Sequence, residues 1–257
     1  MKTLDFITLV DTKAKMSLKT ESSKLYLSFL WWIIEPLLFV LSFYFVFNVL
    51  LKYGDENYLI FLMCAKVPYM WFSKAVTTAS GSIVANRRII SQIDISKAIF
   101  PYASVQISIY KETPVFLLLA GLCLIYGYKP TADWLLLFPL LVGLYLMIVF
   151  FSLLTAILVC YADDVRMIIN MIMLLLMFVS GIFFDMSIVD ENLREYMFTY
   201  NPVAFFCDGF RVILMNKGIY DINHLIKLSL AFIFLIIGMH HIYRIMNRSI
   251  ASKVVNS

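Results

Sequence analysis

The chain has 257 residues, of which 62% are hydrophobic, 16% aromatic and only 15% charged. One soluble core of this size cannot bury so much apolar surface, so the composition excludes an ordinary globular protein and indicates a polytopic membrane protein. The net charge of +4 is small and spread over several segments, so it gives no case for nucleic-acid binding.

An amphipathic helix is the first predicted element. Its apolar residues recur at helical spacing, at Leu4, Ile7, Val10, Ala14 and Leu18. The pattern predicts that residues 1–28 hold a helix lying in the cytosolic membrane interface, with its lysines among anionic head groups. We expect Lys24, just before the first apolar run, to contact lipid or phosphate. A solvated basic leader is the alternative interpretation.

Six apolar runs follow that are long enough to cross a hydrocarbon layer of about 30 Å as helices. They lie near residues 29–51, 58–78, 102–126, 134–161, 167–184 and 222–243. Because alternation of period two is absent, the sequence predicts an all-α membrane protein with six transmembrane helices. Lysines and arginines concentrate before the first run, after the second and after the sixth, which predicts that both termini are cytosolic.

The first run begins with SFLWWIIEPLLF. Trp31 and Trp32 are typical of interfacial anchors, and a contact with substrate is the other interpretation. Glu35 lies one to two turns into the hydrocarbon, where a carboxylate needs a partner, a wet cavity or a proton.

Charged residues also occur within the second and third runs. Counting about 1.5 Å per residue from the cytosolic ends places Glu112 and Lys66 at one depth, and Glu35 and Lys74 at a shallower one. We therefore predict two buried ion pairs, Glu112–Lys66 and Glu35–Lys74. The pairs would either hold the bundle together or line a polar pathway.

The polar break at residues 85–101 reads ANRRIISQIDISKAIFP and predicts a short cytosolic helix. Asn86 can cap its first turn, and the isoleucines fall on one face while polar residues face elsewhere. Such a helix can receive a push from a soluble partner, whereas the plainer interpretation is a basic loop that only sets topology. The residues concerned are Asn86, Arg87, Arg88, Ile89, Ile90, Ile93 and Asp94.

The turn before the fifth run reads YADDVRMIIN. Asp163 and Asp164 suit the positive end of the helix that follows, so local capping explains part of this pattern. We expect Arg166 to meet a lipid phosphate or a cytosolic partner.

The segment at residues 185–221 has too many aromatic residues for a solvated loop and too many charges for a full span. It predicts short re-entrant or gate helices between spans five and six. Aromatic rings in and beside it would line the outer end of a passage and stack on sugar rings, and a plain aromatic belt is the alternative. The candidates are Phe183, Phe184, Phe198, Tyr200, Phe205 and Phe206.

Motifs for metal binding and nucleotide hydrolysis are missing from the sequence. The four cysteines form no C-x-x-C or Cys/His spacing, so we predict no metal site and no disulfide framework. Without a G-x-x-x-x-G-K-[ST] loop, the chain has no phosphate cradle of the usual kind, and its cytosolic loops are too short for an enzymatic domain.

The order of these motifs resembles one known family. A basic interfacial helix precedes SSKLYLSFLWWIIEPLL, then come AN with a basic, isoleucine-rich loop ending in FP, the DDVR turn, and YNP followed by Arg211. This order is similar to that of the ABC transporter type-2 permeases, and more narrowly to the permease subunits that export capsular polysaccharide or lipid-linked O-antigen. The resemblance covers essentially the whole chain.

The resemblance implies a bacterial inner-membrane permease that is not itself an enzyme and binds no cofactor. Residues 29–257 would form the transmembrane domain, and two copies would enclose a path for a lipid-linked glycan. Each copy would bind a separate ATPase subunit, which carries ATP and magnesium. Residues 86–95 would correspond to the coupling helix that docks on the ATPase, spans one and five would line the conduit, and Asn201, Pro202 and Arg211 would belong to the outer gate.

Alternative functions stay open at this point. A type-2 exporter of a small lipid or drug has the same pattern. An ion-coupled carrier would use Glu35 or Glu112 as its ion site. A membrane transferase would need a general base, but His224, His240 and His241 lie at the ends of the sixth run, where interfacial placement is simpler.

Overall fold

The computed structural model describes residues 3–24, 34–35, 37–38, 41–42, 44–50 and 57–256. Throughout these ranges the regular structure is helical, and no described residue forms a strand, as the sequence predicts. Part of the first apolar run, including Trp31 and Trp32, lies outside the described residues, so the expectations for these two tryptophans stay predictions.

The α-helices are named in chain order. They are α1 (Thr3–Lys24), α2 (Tyr58–Ser80), α3 (Ser82–Ala85), α4 (Arg87–Gln92), α5 (Ile99–Ile125), α6 (Leu137–Tyr161), α7 (Val165–Val179), α8 (Glu191–Tyr200), α9 (Pro202–Leu214) and α10 (Ile222–Asn256). A π-helical turn forms at Phe45–Leu50, and 3-10 turns at Ala132–Leu136 and Met186–Ile188 lead into α6 and α8.

Four helical segments in the described ranges are long and apolar enough to cross a membrane. They are Tyr58–Ser80, Ile99–Ile125, Ala132–Tyr161 and Ile222–Val255. The apolar helix α7 has 15 residues, which is about 22 Å at 1.5 Å per residue. By length and composition the chain is therefore a multi-pass membrane protein.

Two predicted spans have different ends in the structure. The fifth was predicted to run to residue 184, but α7 ends at Val179, because Gly181 adopts a positive φ of 68° and turns the chain. The sixth was predicted to end at residue 243, but α10 continues to Asn256. No Gly or Pro follows Gly238 within this helix, so hydropathy marks where it leaves the apolar layer and not where it stops.

Helix α2 is the centre of the fold, packing against α5, α6, α7 and α9, while α10 packs on α6 and α1 on α5. Gly143 on α6 permits one close approach. A Cβ atom there would lie 2.8 Å from Cδ1 of Leu225 and 3.0 Å from Cε1 of Phe206. The missing side chain therefore lets α6, α9 and α10 meet.

Replacing Gly143 by valine tests this packing. The added atoms must displace the buried Phe206 ring, and we expect the variant to lose about 1–3 kcal/mol of stability, as overpacking typically costs. Gly121→Val on α5 is the matched control, because a Cβ atom there meets nothing within 4 Å. The measurement is the unfolding midpoint of both purified variants, and equal shifts would contradict the prediction.

Candidate functional site

The end of the bundle that carries α4 is held together by Asn86. Its Nδ2 donates to the carbonyl of Ser82 at 2.6 Å, and its Oδ1 accepts from Nζ of Lys13 at 2.7 Å. The prediction that this side chain caps the following helix is wrong, because these two partners already occupy its amide. Asn86 instead joins α1 to the junction between α3 and α4.

The isoleucines of this loop do not share one buried face. Ile90 is buried, whereas Ile89 and Ile93 are exposed. The predicted common face fails because α4 ends at Gln92 and Ile93 is extended, with φ −133°. The two exposed isoleucines line an apolar cavity of about 810 Å³ together with residues of α1.

The Arg87 side chain and the backbone of Lys97 attach α4 and its loop to α10. Nη2 of Arg87 donates to the carbonyl of Val255 at 2.5 Å, where a cation suits the helix C-terminus. Nζ of Lys97 is buried and donates to the carbonyl of Ile95 at 2.8 Å, and the Lys97 N–H donates to Oδ1 of Asn247 at 3.1 Å. Sequence reasoning missed the role of Asn247, since a polar residue in a tail carries no signal of its partner.

Two further residues of the predicted site in this loop lie on its surface. Arg88 is exposed, and the Asp94 carboxylate is 85% exposed at 3.3 Å from Nζ of Lys97. These positions leave one side of the loop exposed, while the opposite side contacts α1 and α10.

Helix α1 lies against α5, and its Val10 and Ala14 are both buried. Asp11 accepts hydrogen bonds from Lys15 at 2.7 Å and from the Tyr110 hydroxyl at 2.5 Å, and these bonds lower the pKa of Asp11. Burial lowers the pKa of Lys13.

The two predicted lipid contacts involve Lys24 and Arg166. Lys24 ends α1, and the contacts of its side chain lie outside what the structure describes. The Arg166 guanidinium is exposed and lies against Gly81, where a side chain would overlap it. A phosphate contact of either residue stays a prediction.

One of the two predicted ion pairs is present. Nζ of Lys74 lies 2.7 Å from Oε2 of Glu35, but the side chains are 39% and 44% exposed, so the pair is half-buried in the protomer and not buried as predicted.

The predicted pairing of Glu112 with Lys66 is wrong. Both residues are buried, yet no ion pair joins them within the described ranges. Nζ of Lys66 instead lies 3.0 Å from Sδ of Met177 on α7 and 5.1 Å from the Tyr69 ring centroid. Equal depth in the membrane does not fix the direction in which a helical side chain points.

At the other end of α2, Arg211 forms a buried clamp. Its side chain is 1% exposed, and Nη2 donates to the carbonyls of Gly181 at 2.9 Å and Ile182 at 3.0 Å. Nη1 donates to the carbonyl of Phe184 at 3.3 Å and Nε to that of Phe61 at 3.4 Å. The guanidinium carbon lies 3.7 Å from the Phe61 ring centroid. Arg211 thus ties the turn after α7 to α9 and α2, a role that sequence reasoning did not foresee.

The Asn-Pro pair that precedes Arg211 is a helix start. Oδ1 of Asn201 accepts from the N–H of Ala204 at 3.4 Å, and Pro202 is the first residue of α9. Nδ2 of Asn201 also donates to Oγ of Ser180 at 3.0 Å, so this cap attaches α9 to the end of α7.

The aromatic residues predicted to line a passage divide into two groups. Phe205 and Phe206 are both buried, and Phe206 lies close to Gly143 of α6, whereas Phe205 packs against the rings of Phe198, Tyr220 and His224. Phe183, Phe184 and Phe198 are partly buried. Tyr200 is exposed and stacks on Tyr196, with ring centroids 6.3 Å apart.

An ion pair joins the segments before α8 and after α9. Nζ of Lys217 lies 2.6 Å from Oδ2 of Asp185, whose Oδ1 accepts from the Ser187 N–H at 3.0 Å. Burial alone would raise the pKa of Asp185, but the bonds from Lys217 and Ser187 outweigh it and lower this pKa to about 2.

Comparisons with known proteins agree on one family. Residues 18–215 match the family model described as ABC-2 type transporter. Over 213 residues, the chain is 24% identical to an O-antigen export system permease protein RfbA of Klebsiella pneumoniae, covering 82% of each chain. A second Klebsiella pneumoniae protein of that name is 24% identical over 208 residues, which is 80% of this chain and 79% of the relative. One from Myxococcus xanthus is 23% identical over 233 residues, or 89% and 88%.

Arg211→Lys tests the clamp. A lysine has no planar fork and cannot reach all four carbonyls, so we expect a loss of about 2–4 kcal/mol from unsatisfied buried groups. Arg248→Lys, at an exposed position of α10, should change stability little. Denaturant unfolding of both variants is the measurement, and equal stability would show that the carbonyls do not depend on Arg211.

The Asp185–Lys217 pair predicts a pH dependence. The folded-state pKa is lowered, so the pair stabilises the fold above the ordinary value of 3.8, and this stabilisation is lost as the pH falls toward about 2. At neutral pH the Asp185→Asn variant should have a lower unfolding midpoint than the wild-type chain. As the pH falls, the midpoint of the variant should decrease less than that of the wild type. The two midpoints followed against pH check this, and parallel curves would be inconsistent with it.

Proposed function

Since the chain belongs to the ABC-2 type transporter family, whose model spans most of its length, we propose that it is the permease subunit of an ATP-driven exporter of lipid-linked polysaccharide. The proposed identity of the substrate rests on the similarity to three proteins named O-antigen export system permease. O-antigen or capsule is the substrate class. The chain supplies the membrane path, and a partner subunit supplies ATP hydrolysis with its magnesium.

The proposed topology has six spans, with both termini in the cytosol of a bacterial inner membrane. It adds a first span near residues 29–51 and the short α7 to the four long helices. Contacts support the orientation, because Lys13–Asn86 and Arg87–Val255 bring α1, α4 and the end of α10 to one end of the bundle. These are the segments that the distribution of basic residues assigns to the cytosol.

Helix α4 is the proposed coupling helix. One side of it is attached to the protomer by Asn86, Arg87 and Ile90, and the other side presents exposed Arg88 and Ile89. A docked ATPase would meet the exposed side, and the attached side would pass its movement to α1 and α10.

A second copy of the chain would cover the exposed face of α7. Ile169, Met173 and Met177 recur every four residues and are buried. The other face is apolar and exposed, at Met167, Ile168, Met171, Ile172, Leu174, Leu175, Phe178 and Val179. This face and span one, with Glu35 and the two tryptophans, would border the conduit between copies. Residues 185–221, with Tyr200 exposed, would form its outer gate and offer weak, repeated contacts to a moving glycan.

The test is ATPase stimulation in vesicles that contain this chain, its candidate ATPase subunit and a lipid-linked glycan. We expect Arg88→Glu combined with Ile89→Asp to lower stimulated hydrolysis about tenfold or more, because an interface anchor costs at least 1–2 kcal/mol. Arg87 is left intact because it binds the end of α10.

Lys129→Glu is the matched control, since it reverses an exposed charge on the loop before α6, away from α4. Unchanged stimulation in the double variant would remove α4 from the motor interface. Failure of every candidate ATPase to bind the wild-type chain would contradict the exporter itself.

A further inference from the structure

A cavity of about 710 Å³ lies between the Met186–Ile188 turn, α8, α9 and the start of α10. It lies at the end of the bundle that holds Arg211. Helix α2, which has 23 residues and is about 34 Å long, runs from this end to the end that holds α4. Neither the proposed coupling helix nor the exposed face of α7 contributes to it. Five carboxylates and three basic side chains line it, together with aromatic rings.

Asp208 is a carboxylate without a hydrogen-bond donor in this cavity. Its side chain is 19% exposed, and the nearest cation is Nη1 of Arg211 at 3.9 Å, beyond hydrogen-bonding distance. Nε, Nη1 and Nη2 of Arg211 all donate to backbone carbonyls. Within the described part of the chain, no group donates a hydrogen bond to the Asp208 carboxylate, so a ligand that carries donors would satisfy it.

An aromatic wall stands beside this carboxylate. The Phe205 ring centroid lies 4.7 Å from that of His224, 5.8 Å from that of Phe198 and 6.0 Å from that of Tyr220. The Tyr220 hydroxyl donates to the carbonyl of Leu136 at 3.0 Å, which holds its ring in place. An apolar wall with a few convergent acceptors is the usual form of a small-molecule site, and it matches a sugar ring with its C–H face and hydroxyl edge.

The charges that line the cavity further restrict the class of ligand that it can bind. Lys217 is neutralised by Asp185 at 2.6 Å. The carboxylates that remain, on Glu191, Glu195, Asp208 and Asp221, outnumber the cations of Arg194, Lys227 and the buried Arg211, which lies 3.9 Å from Asp208. A net negative lining repels an anionic ligand, and it accepts an uncharged or a cationic one.

We propose that this cavity binds an uncharged or amino sugar unit, whose hydroxyl or ammonium groups donate to Asp208 while its ring lies against the aromatic wall. The choice of a sugar rests on the proposed function, and within it the cavity is a specific glycan site in the proposed outer gate, apart from the exposed face of α7. Because carboxylates predominate in the lining, acidic sugars should bind more weakly than neutral or amino sugars.

The experiment measures binding of monosaccharide probes to the purified full chain by saturation-transfer NMR. The probes are neutral methyl hexosides, the corresponding free amino sugars and the corresponding hexuronates. We expect saturable binding of probes from the first two classes, with hexuronates about tenfold weaker or absent. Asp208→Asn should weaken neutral probes about tenfold, the typical value of a hydrogen bond to a charged group.

Two further variants serve as a second test of the lining and as a control. Glu195→Gln changes an exposed carboxylate of the same lining and should weaken binding of the amino sugars, even if Asp208→Asn fails to fold. Asp133→Asn, in the turn before α6 and outside the cavity, is the control. Absence of saturable binding by any probe, binding that neither variant weakens, or hexuronates that bind best would each overturn the proposal.

The result is independent of the export test. Normal stimulation of the ATPase without sugar binding would remove the cavity site and leave the exporter. Sugar binding weakened by Asp208→Asn in a chain that binds no ATPase would leave the site and remove the exporter.

Discussion

The structure depends on the buried guanidinium of Arg211, which donates hydrogen bonds to carbonyls of the turn after α7. After α7 the chain turns at Gly181, and the buried carbonyl groups of this turn have neither a helical partner nor access to water. Arg211 donates to Gly181, Ile182 and Phe184 there, and to Phe61 on α2. A lysine offers a point charge, whereas the guanidinium offers a planar fork, so arginine suits a site that must hold several carbonyls at once.

This constraint positions the whole Arg211 end of the bundle. Asn201 caps α9 and binds Ser180, which fixes the position of α9, and with it Arg211, relative to the end of α7. The same clamp uses four of the five N–H donors of Arg211, and Nη1 stays 3.9 Å from Asp208, one turn earlier on α9, whose carboxylate lines the cavity. A packing arrangement thus creates the chemistry of the proposed sugar site.

The α4 end is built differently. Single polar contacts, Lys13–Asn86 and Arg87–Val255, join helices that are far apart in sequence. Such contacts lie at a partly exposed surface, so they hold the segments together without the rigidity of a buried clamp. In the proposed exporter, this is the end on which the ATPase subunit would act.

The sequence by itself determined the membrane class, the all-helical character and the approximate positions of the long apolar helices, because apolar run length and helical spacing are local properties. It also identified the Glu35–Lys74 pair. Only the tertiary structure decided that Lys66 lies against Met177 and not Glu112, that Phe206 is core, and that Arg211 binds carbonyls. Depth along a helix follows from counting residues, but the direction of a side chain depends on how neighbouring helices pack around it.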